Sequence, residues 1–430
     1  MPTKPAQRSL AYHHDFRQLW IGDALSQVGA QLTALALPIY AVLTLNATEM
    51  QMGFLNAAQT AAFLLIGLPA GAWIDRLRKR GVLITADFVR GVVLGAVVVL
   101  ALTGHGTMPV LIGASLILSV ATVFFDIAHL SYVPGLVGLA HVSEGNTKLQ
   151  ATYSVAAVAV PAVGGMALRV VSAPFLIAVN VVTYFLSVFY LGRIKKREEL
   201  PPKDSHLPMG PAIAEGLRFI IRTPLLNRLV LSTGASAIFS TMGWTMLIKY
   251  AVTDLKVAEG EVGIIMSASA VGGILGALIV RKTTHFVGEG RIIALSALAT
   301  PVLFVGIPLA ATLMHAGVNP MIPLIISGFL MQISNTFFNV SQVSFRQRVC
   351  PPHLLGRMNA SFRFIVWGGM PIASLLAGVI ATQFGMVTMM WVVVIGEILT
   401  ALPLVLSKFV TMRDLPGGGT IEEVAVASGN

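Results

Sequence analysis

Charge is the scarcest property of this chain. Charged residues make up 11% of its 430 residues, where a soluble domain carries about 25%. Too few remain to cover a water-soluble globule of this size, so lipid must solvate much of the surface. There is a single cysteine, Cys350. That excludes an internal disulfide framework and a cysteine-based metal site. Its place beside Pro351, in a predicted cytoplasmic loop, suggests an ordinary thiol. HExxH, P-loop and G-x-S-x-G sequences are also missing, which removes the usual zinc-hydrolase, nucleotide-driven and serine-hydrolase chemistries. No soluble segment is large enough to carry a signalling output. The sequence therefore implies no enzyme, no cofactor and no metal.

What is abundant is apolar sequence: 55% of residues are hydrophobic. A membrane span needs about 20 mostly apolar residues. Suitable stretches lie near 19–44, 51–74, 82–103, 108–133, 147–170, 174–192, 225–251, 260–280, 291–314, 320–345, 358–384 and 387–407. Hydrocarbon admits only helices or closed barrels, and these continuous runs lack the alternation of barrel strands. The expected fold is an all-α membrane protein of about twelve helices.

The net charge of +10 is a statement about topology. All but five of the 29 Lys and Arg residues fall on one side of these spans, the exceptions being Arg90, Arg169, Lys249, Lys256 and Arg363. This is the positive-inside pattern. It argues against nucleic-acid binding and for a multi-pass protein with both termini in the cytoplasm. The start is polar and basic through Gln18 and the first apolar run is long, which favours a retained helix over a cleaved signal peptide.

The longest polar interruption, around KKREELPPKDSHLP, divides the chain into halves of similar length. The reading is a six-helix bundle over 1–192, a cytoplasmic linker over 193–222 with room for a surface helix, a second six-helix bundle over 223–408, and a disordered tail over 409–430. Paired bundles suit alternating access, where a central site opens to each side in turn. The pairs Gly67–Gly71, Gly91–Gly95 and Gly272–Gly276 would let helices approach closely.

Two motifs suggest mechanism. The first is GAWIDRLRKRGVL (71–83), in which Gly71, Asp75, Arg76 and Arg80 stand in a signature-like order. The second is VPAVGG (160–165), with Pro161, Gly164 and Gly165. The first resembles the loop signature of the major facilitator superfamily, although Arg78 stands where that pattern has Gly. The second resembles the antiporter motif of its drug exporters, with Val160 for a glycine; a proline kink with small packing residues is the other reading. Longer strings, such as FRQLWIGDALSQVG, ITADFVRGVVLG, AEGLRFIIRTPLL and NVSQVSFRQRVCPPHLLGRMNASFRF, resemble the macrolide-efflux and siderophore-exporter-like branch, made of drug:proton antiporters. The resemblance implies paired six-helix bundles in a bacterial inner membrane, with the acidic residue of the first motif latching the cytoplasmic side. A carboxylate is favoured near a helix N-terminus, so Asp75 would meet the start of the eleventh span, near Arg357 and Asn359.

Ionisable residues inside spans mark function by default. Asp23 shares a helix face with Gln27 and Gln31; Asp126 and His129 lie three apart; Gln332, Asn335, Asn339 and Gln342 form a stripe. In the family fold the first, fourth, seventh and tenth helices line the cavity. That makes Gln27, Gln31, Trp244, Gln332, Asn335 and Asn339 pathway candidates; the alternative is that the amides bond between helices. Desolvation disfavours a charged carboxylate, so Asp126, Asp23 or His129 would exchange protons, with Asp126 favoured. Asp87 and Arg90 should pair structurally. Arg363 is a candidate inner-gate residue. Glu397 is a further proton candidate, on a helix that usually sits outside the cavity. The resulting expectation is a monomeric, proton-coupled exporter of amphipathic small molecules such as antibiotics, siderophores or toxic metabolites. A nutrient importer is the alternative.

Overall fold

Between residues 10 and 413 the computed structural model describes all but 139–140, 197, 199–208 and 352–353. The described residues form helices and turns. In chain order they are α1 (His14–Ile39), α2 (Glu49–Leu65), α3 (Gly67–Asp75), α4 (Lys79–Leu102), α5 (Met108–Val137), α6 (Val142–Ala167) and α7 (Ala173–Gly192). There follow α8 (Met209–Arg222), α9 (Pro224–Lys249), α10 (Glu259–Val287), α11 (Glu289–Phe304), α12 (Gly306–His315) and α13 (Met321–Val349). The last are α14 (Leu355–Gly368), α15 (Met370–Phe384) and α16 (Met386–Val405). Ten stretches are long and apolar enough to cross a membrane, counting α11 with α12 and α14 with α15. The broken pair α2–α3 and the helix α9 take the remaining places of a twelve-span fold. The break before α15 has a local cause: Pro371 falls in its first turn, where a missing N–H is harmless.

The described chain forms two compact units. The first contains α1 and α3 to α7. Here α1 lies along α7 and α6, while α4 packs on α5 and α7. Small residues make the α1–α7 seam possible. A Cβ on Gly22 would stand 3.3 Å from Ser187 Oγ, and one on Gly29 would overlap Asn180 and Thr183. The Asn180 amide then donates to Thr33 Oγ1 at 2.6 Å. Gly91 closes against the Phe185 ring, but Gly67 faces open space, so the expected packing role fails at that glycine.

The second unit contains α8 to α16 and also residues 46–64. The main division, between 205 and 206, falls within the expected linker, while α2 groups with the later helices. Gly53 is the reason: a Cβ there would stand 2.7 Å from the Ser374 carbonyl and 3.3 Å from Gly378 Cα. Ser374 Oγ donates to Asn56 Oδ1 at 2.8 Å, and Phe63 meets Trp367 edge to face. Deeper in this unit α10 lies on α13, with Gly276 against Thr336 and Gly272 against the Phe329 carbonyl.

Within the expected linker, α8 is docked on α14 and α9: Phe219 and Ile220 enter an apolar cluster with Leu226, Met358 and Phe362. Residues 409–413, expected to belong to a disordered tail, are packed. Phe409 is fully buried against Phe345, and the Glu289 N–H donates to the Arg413 carbonyl at 2.8 Å. Cys350 joins the same cluster, and burial pushes its thiol up to about 11.

An internal repeat marks equivalent places in the two halves. Residues 40–53 and 250–263 share Tyr-Ala-Val, then Leu, Glu and Gly at matching positions. Each copy forms a π-helical turn, Tyr40–Thr44 and Tyr250–Asp254. Each turn is followed by Leu and then a residue of positive φ, Asn46 at 49° and Lys256 at 56°.

Candidate functional site

The second unit holds a cavity of about 120 Å³ between α9, α11, α13 and α16. On α9, Ser232, Ser236 and Ser240 recur every four residues and so share one face. Opposite them stand Thr300, Gln332, Asn335 and Glu397, with Trp244 at one edge. The Ser236 hydroxyl donates to Glu397 Oε2 at 2.6 Å, and Ser232 donates to the Thr400 carbonyl at 2.6 Å. The α9–α16 approach that creates this pairing needs Gly396, where any Cβ would enter the Phe239 ring. Glu397 is 7% exposed and has no cationic partner among the described residues. Glu397, a proton candidate from the sequence, thus forms part of the wall of this cavity within the second unit. The volume suffices for several waters and falls short of the roughly 300 Å³ at which drug-sized sites begin.

The α13 stripe continues the cavity. Asn339 donates to Asn335 Oδ1 at 2.8 Å, and Gln342 Nε2 donates to Asn339 Oδ1 at 3.4 Å. Trp244, Gln332 and Asn335 are thereby brought together with Glu397, a grouping that the sequence did not suggest.

The first unit gathers the other candidates around Arg90. This guanidinium is ion-paired to Asp87, and Asp87 Oδ2 also accepts from Ser187 Oγ at 2.6 Å. Arg90 lies 4.2 Å from the Phe125 centroid and 4.7 Å from that of Tyr184. His129 stacks on the other partner, Phe125, and its Nε2 is 3.5 Å from Asp23 Oδ1. That is an ion-pair distance without hydrogen-bond geometry. Gln27 offers its amide to the same Asp23 carboxylate. Asp126 is exposed and acts electrostatically on Arg90. Gln31 is half-buried on α1. Asp23 and Asp87 thus sit beside one arginine and one histidine, and Asp126 acts on the same arginine.

The loop signature divides by role. Arg80 is tied to the end of α7: Nε donates to the Leu191 carbonyl at 3.0 Å and a terminal nitrogen to the Gly192 carbonyl at 2.5 Å. Those carbonyls are the unsatisfied ones at a helix C-terminus. Arg76 and Arg78 instead rim an apolar groove of about 720 Å³ between α4 and α5. Its wall offers few polar groups to orient a solute, so it is not the candidate site. The side chains of Gly71 and Asp75 lie outside the described residues. Arg357, near the expected partner of Asp75, is ion-paired to Glu215 on α8. In the second motif a Cβ on Gly164 would stand 3.0 and 3.2 Å from Leu32 and Leu35 of α1, with Pro161 and Gly165 buried beside it; the contact is one of packing. Arg363 is exposed and lies over Trp367, 5.1 Å from its centroid.

Two cations read from sequence as topology signals or exceptions are structural features. Lys249, buried at the end of α9, reaches Glu49 at 3.1 Å and the Ala47 carbonyl at 2.5 Å. Arg346 is buried on α13. Glu49 and Lys249 are 200 residues apart, so no local pattern pairs them.

Comparison with known proteins agrees with this architecture. A family model described as transmembrane secretion effector matches residues 9–417. The chain is 26% identical over 372 residues to the multidrug efflux pump Tap of Mycolicibacterium fortuitum, covering 83% of this chain and 87% of the relative. It is 24% identical over 355 residues to the enterobactin exporter EntS of Salmonella typhimurium, covering 81% of each. Among solved structures, a bacterial homologue of the iron transporter ferroportin in an inward-facing state superposes with a TM-score of 0.70 at 16% identity, over 93% of this chain and 99% of that one. The nucleoside transporter NupG gives 0.72 at 14%, over 90% and 98%. These structural likenesses concern the fold.

Proposed function

Because the chain belongs to the transmembrane secretion effector family of the major facilitator superfamily, we propose that it exports amphipathic small molecules in exchange for protons. It is a multi-pass membrane transporter and not an enzyme. Export is supported by the relatives, an efflux pump and a siderophore exporter. Proton coupling is supported by one observation above the others: Glu397 stands in a hydroxyl-lined cavity with no cationic partner among the described residues.

An unpaired carboxylate in a low-dielectric site is costly, and a proton removes its charge. Ser236 can donate to the ionised form and accept from the protonated one, so the pair accommodates both states. The Asp23–His129 pair in the first unit is a second candidate site of exchange, since a buried carboxylate there lies 3.5 Å from an imidazole. Asp126 has the Arg90 charge acting on it, which makes it the less pressing proton acceptor. Coupling needs only that proton and substrate bias one conformational equilibrium in opposite directions. The charge asymmetry supports both termini lying in the cytoplasm.

The test is dye efflux from cells expressing the wild type or Glu397→Gln, with and without a protonophore. Efflux that collapses under the protonophore and in the variant, with the protein still in the membrane, is the expected result. Wild-type pumping by the variant would remove Glu397 from the mechanism and leave Asp23, His129 and Asp126. Substrate-dependent accumulation in place of efflux would overturn export in favour of nutrient import.

A further inference from the structure

Among the described residues Arg346 has no counterion. Its residue is 7% exposed, its Nε has no hydrogen-bond partner, and no described carboxylate pairs with it. The guanidinium lies face-on to the Phe362 ring, 3.5 Å from the centroid. A second cation, Arg363, acts on it electrostatically and is itself set over Trp367. Stacking on one ring recovers less than burying a lone charge costs. Burial of Arg346 near a second cation, with no described acid paired to it, leaves its charge poorly compensated.

The surroundings extend the pattern. Ser341 Oγ and Gln342 Oε1 are also buried without a protein partner. Unpaired buried polar atoms are rare enough that a cluster needs an explanation. Arg346 continues the row Gln332, Asn335, Asn339, Gln342 at spacings of three and four, so all five share one face of α13. At a rise of about 1.5 Å per residue the row carries a polar track roughly 17 Å from Asn335, in the cavity wall, to Arg346 near the basic end of the helix.

We propose that Arg346, supported by Arg363, binds the oxyanion of the transported molecule, so that the substrates are amphipathic anions: a carboxylate on an aromatic or apolar body. A planar guanidinium matches a carboxylate in two parallel hydrogen bonds, while the Phe362 and Trp367 rings offer apolar area beside it. Arg346 receives the anion at one end of the track, and Gln332, Asn335 and Trp244 meet the rest of the molecule as it reaches the cavity. The assignment of this anion as cargo rests on the export reading; its binding does not.

Salicylate tests the binding, with the neutral isostere salicylamide as control. In purified protein, salicylate should raise the thermal unfolding midpoint and change tryptophan fluorescence, with salicylamide doing neither. Arg346→Gln should abolish the salicylate response, and Arg346→Lys should restore part of it. If Arg346→Gln does not fold, Arg363→Gln should weaken salicylate binding several-fold in its place. Equal responses to both compounds, or a salicylate response untouched by either glutamine variant, would overturn the proposal. Loss of proton-driven efflux in Glu397→Gln with salicylate binding intact separates failure of transport from failure of this site.

Discussion

The two units bury acids in opposite ways. In the first, Asp87 is fully buried and answered by a buried arginine, with Ser187 taking its second oxygen. In the second, Glu397 is nearly as buried and has one serine hydroxyl for company. An ion pair of this depth fixes a geometry, because removing either partner leaves a charge with nowhere to go. A carboxylate held by a hydroxyl can gain or lose a proton without disturbing its neighbours. The first arrangement suits a scaffold and the second suits a working group. The Asp23–His129 pair lies between these extremes, close enough to attract but not aligned to bond.

Substitutions that tax one arrangement and spare the other can break this contrast. The largest effect should come from Arg90→Gln, which strands Asp87 and should destabilise by about 3–5 kcal/mol; thermal unfolding in detergent would read it as a large drop in midpoint. Ser187→Ala removes a hydrogen bond to a charged group and should cost about 1.5–3 kcal/mol in the same assay. Glu397→Gln should change stability least, by less than about 1 kcal/mol, since its amide still pairs with Ser236 and carries no charge. A Glu397→Gln midpoint falling as far as that of Arg90→Gln would erase the distinction between scaffold and working group.

Much of the architecture was legible because lipid simplifies the code: apolar length and cation asymmetry are direct consequences of bilayer physics. The Asp87–Arg90 pair could be read as well, being three residues apart on one helix. The cavity could not. Ser236 and Glu397 are 161 residues apart, and their meeting depends on Gly396 admitting the Phe239 ring. Arg346 was hidden for a different reason. At the cytoplasmic end of a span a cation is the default, so its burial, not its presence, is the signal. Arg80 shows the same ambiguity: it counts as a topology charge yet spends its donors on the end of α7. The repeated Tyr-Ala-Val segment was visible in principle, through comparison of the chain with itself.

The docking of α8 bears on how the protein could be divided and reassembled. A Cβ on Gly216 would stand 2.5 Å from the Arg357 carbonyl, Glu215 holds the Arg357 side chain, and Phe219 and Ile220 plug an apolar cluster. A cut just after Arg222 would send this plug away with the wrong fragment and leave the later one with an open apolar wound. Two-fragment complementation should therefore succeed only when the downstream piece carries α8 with it.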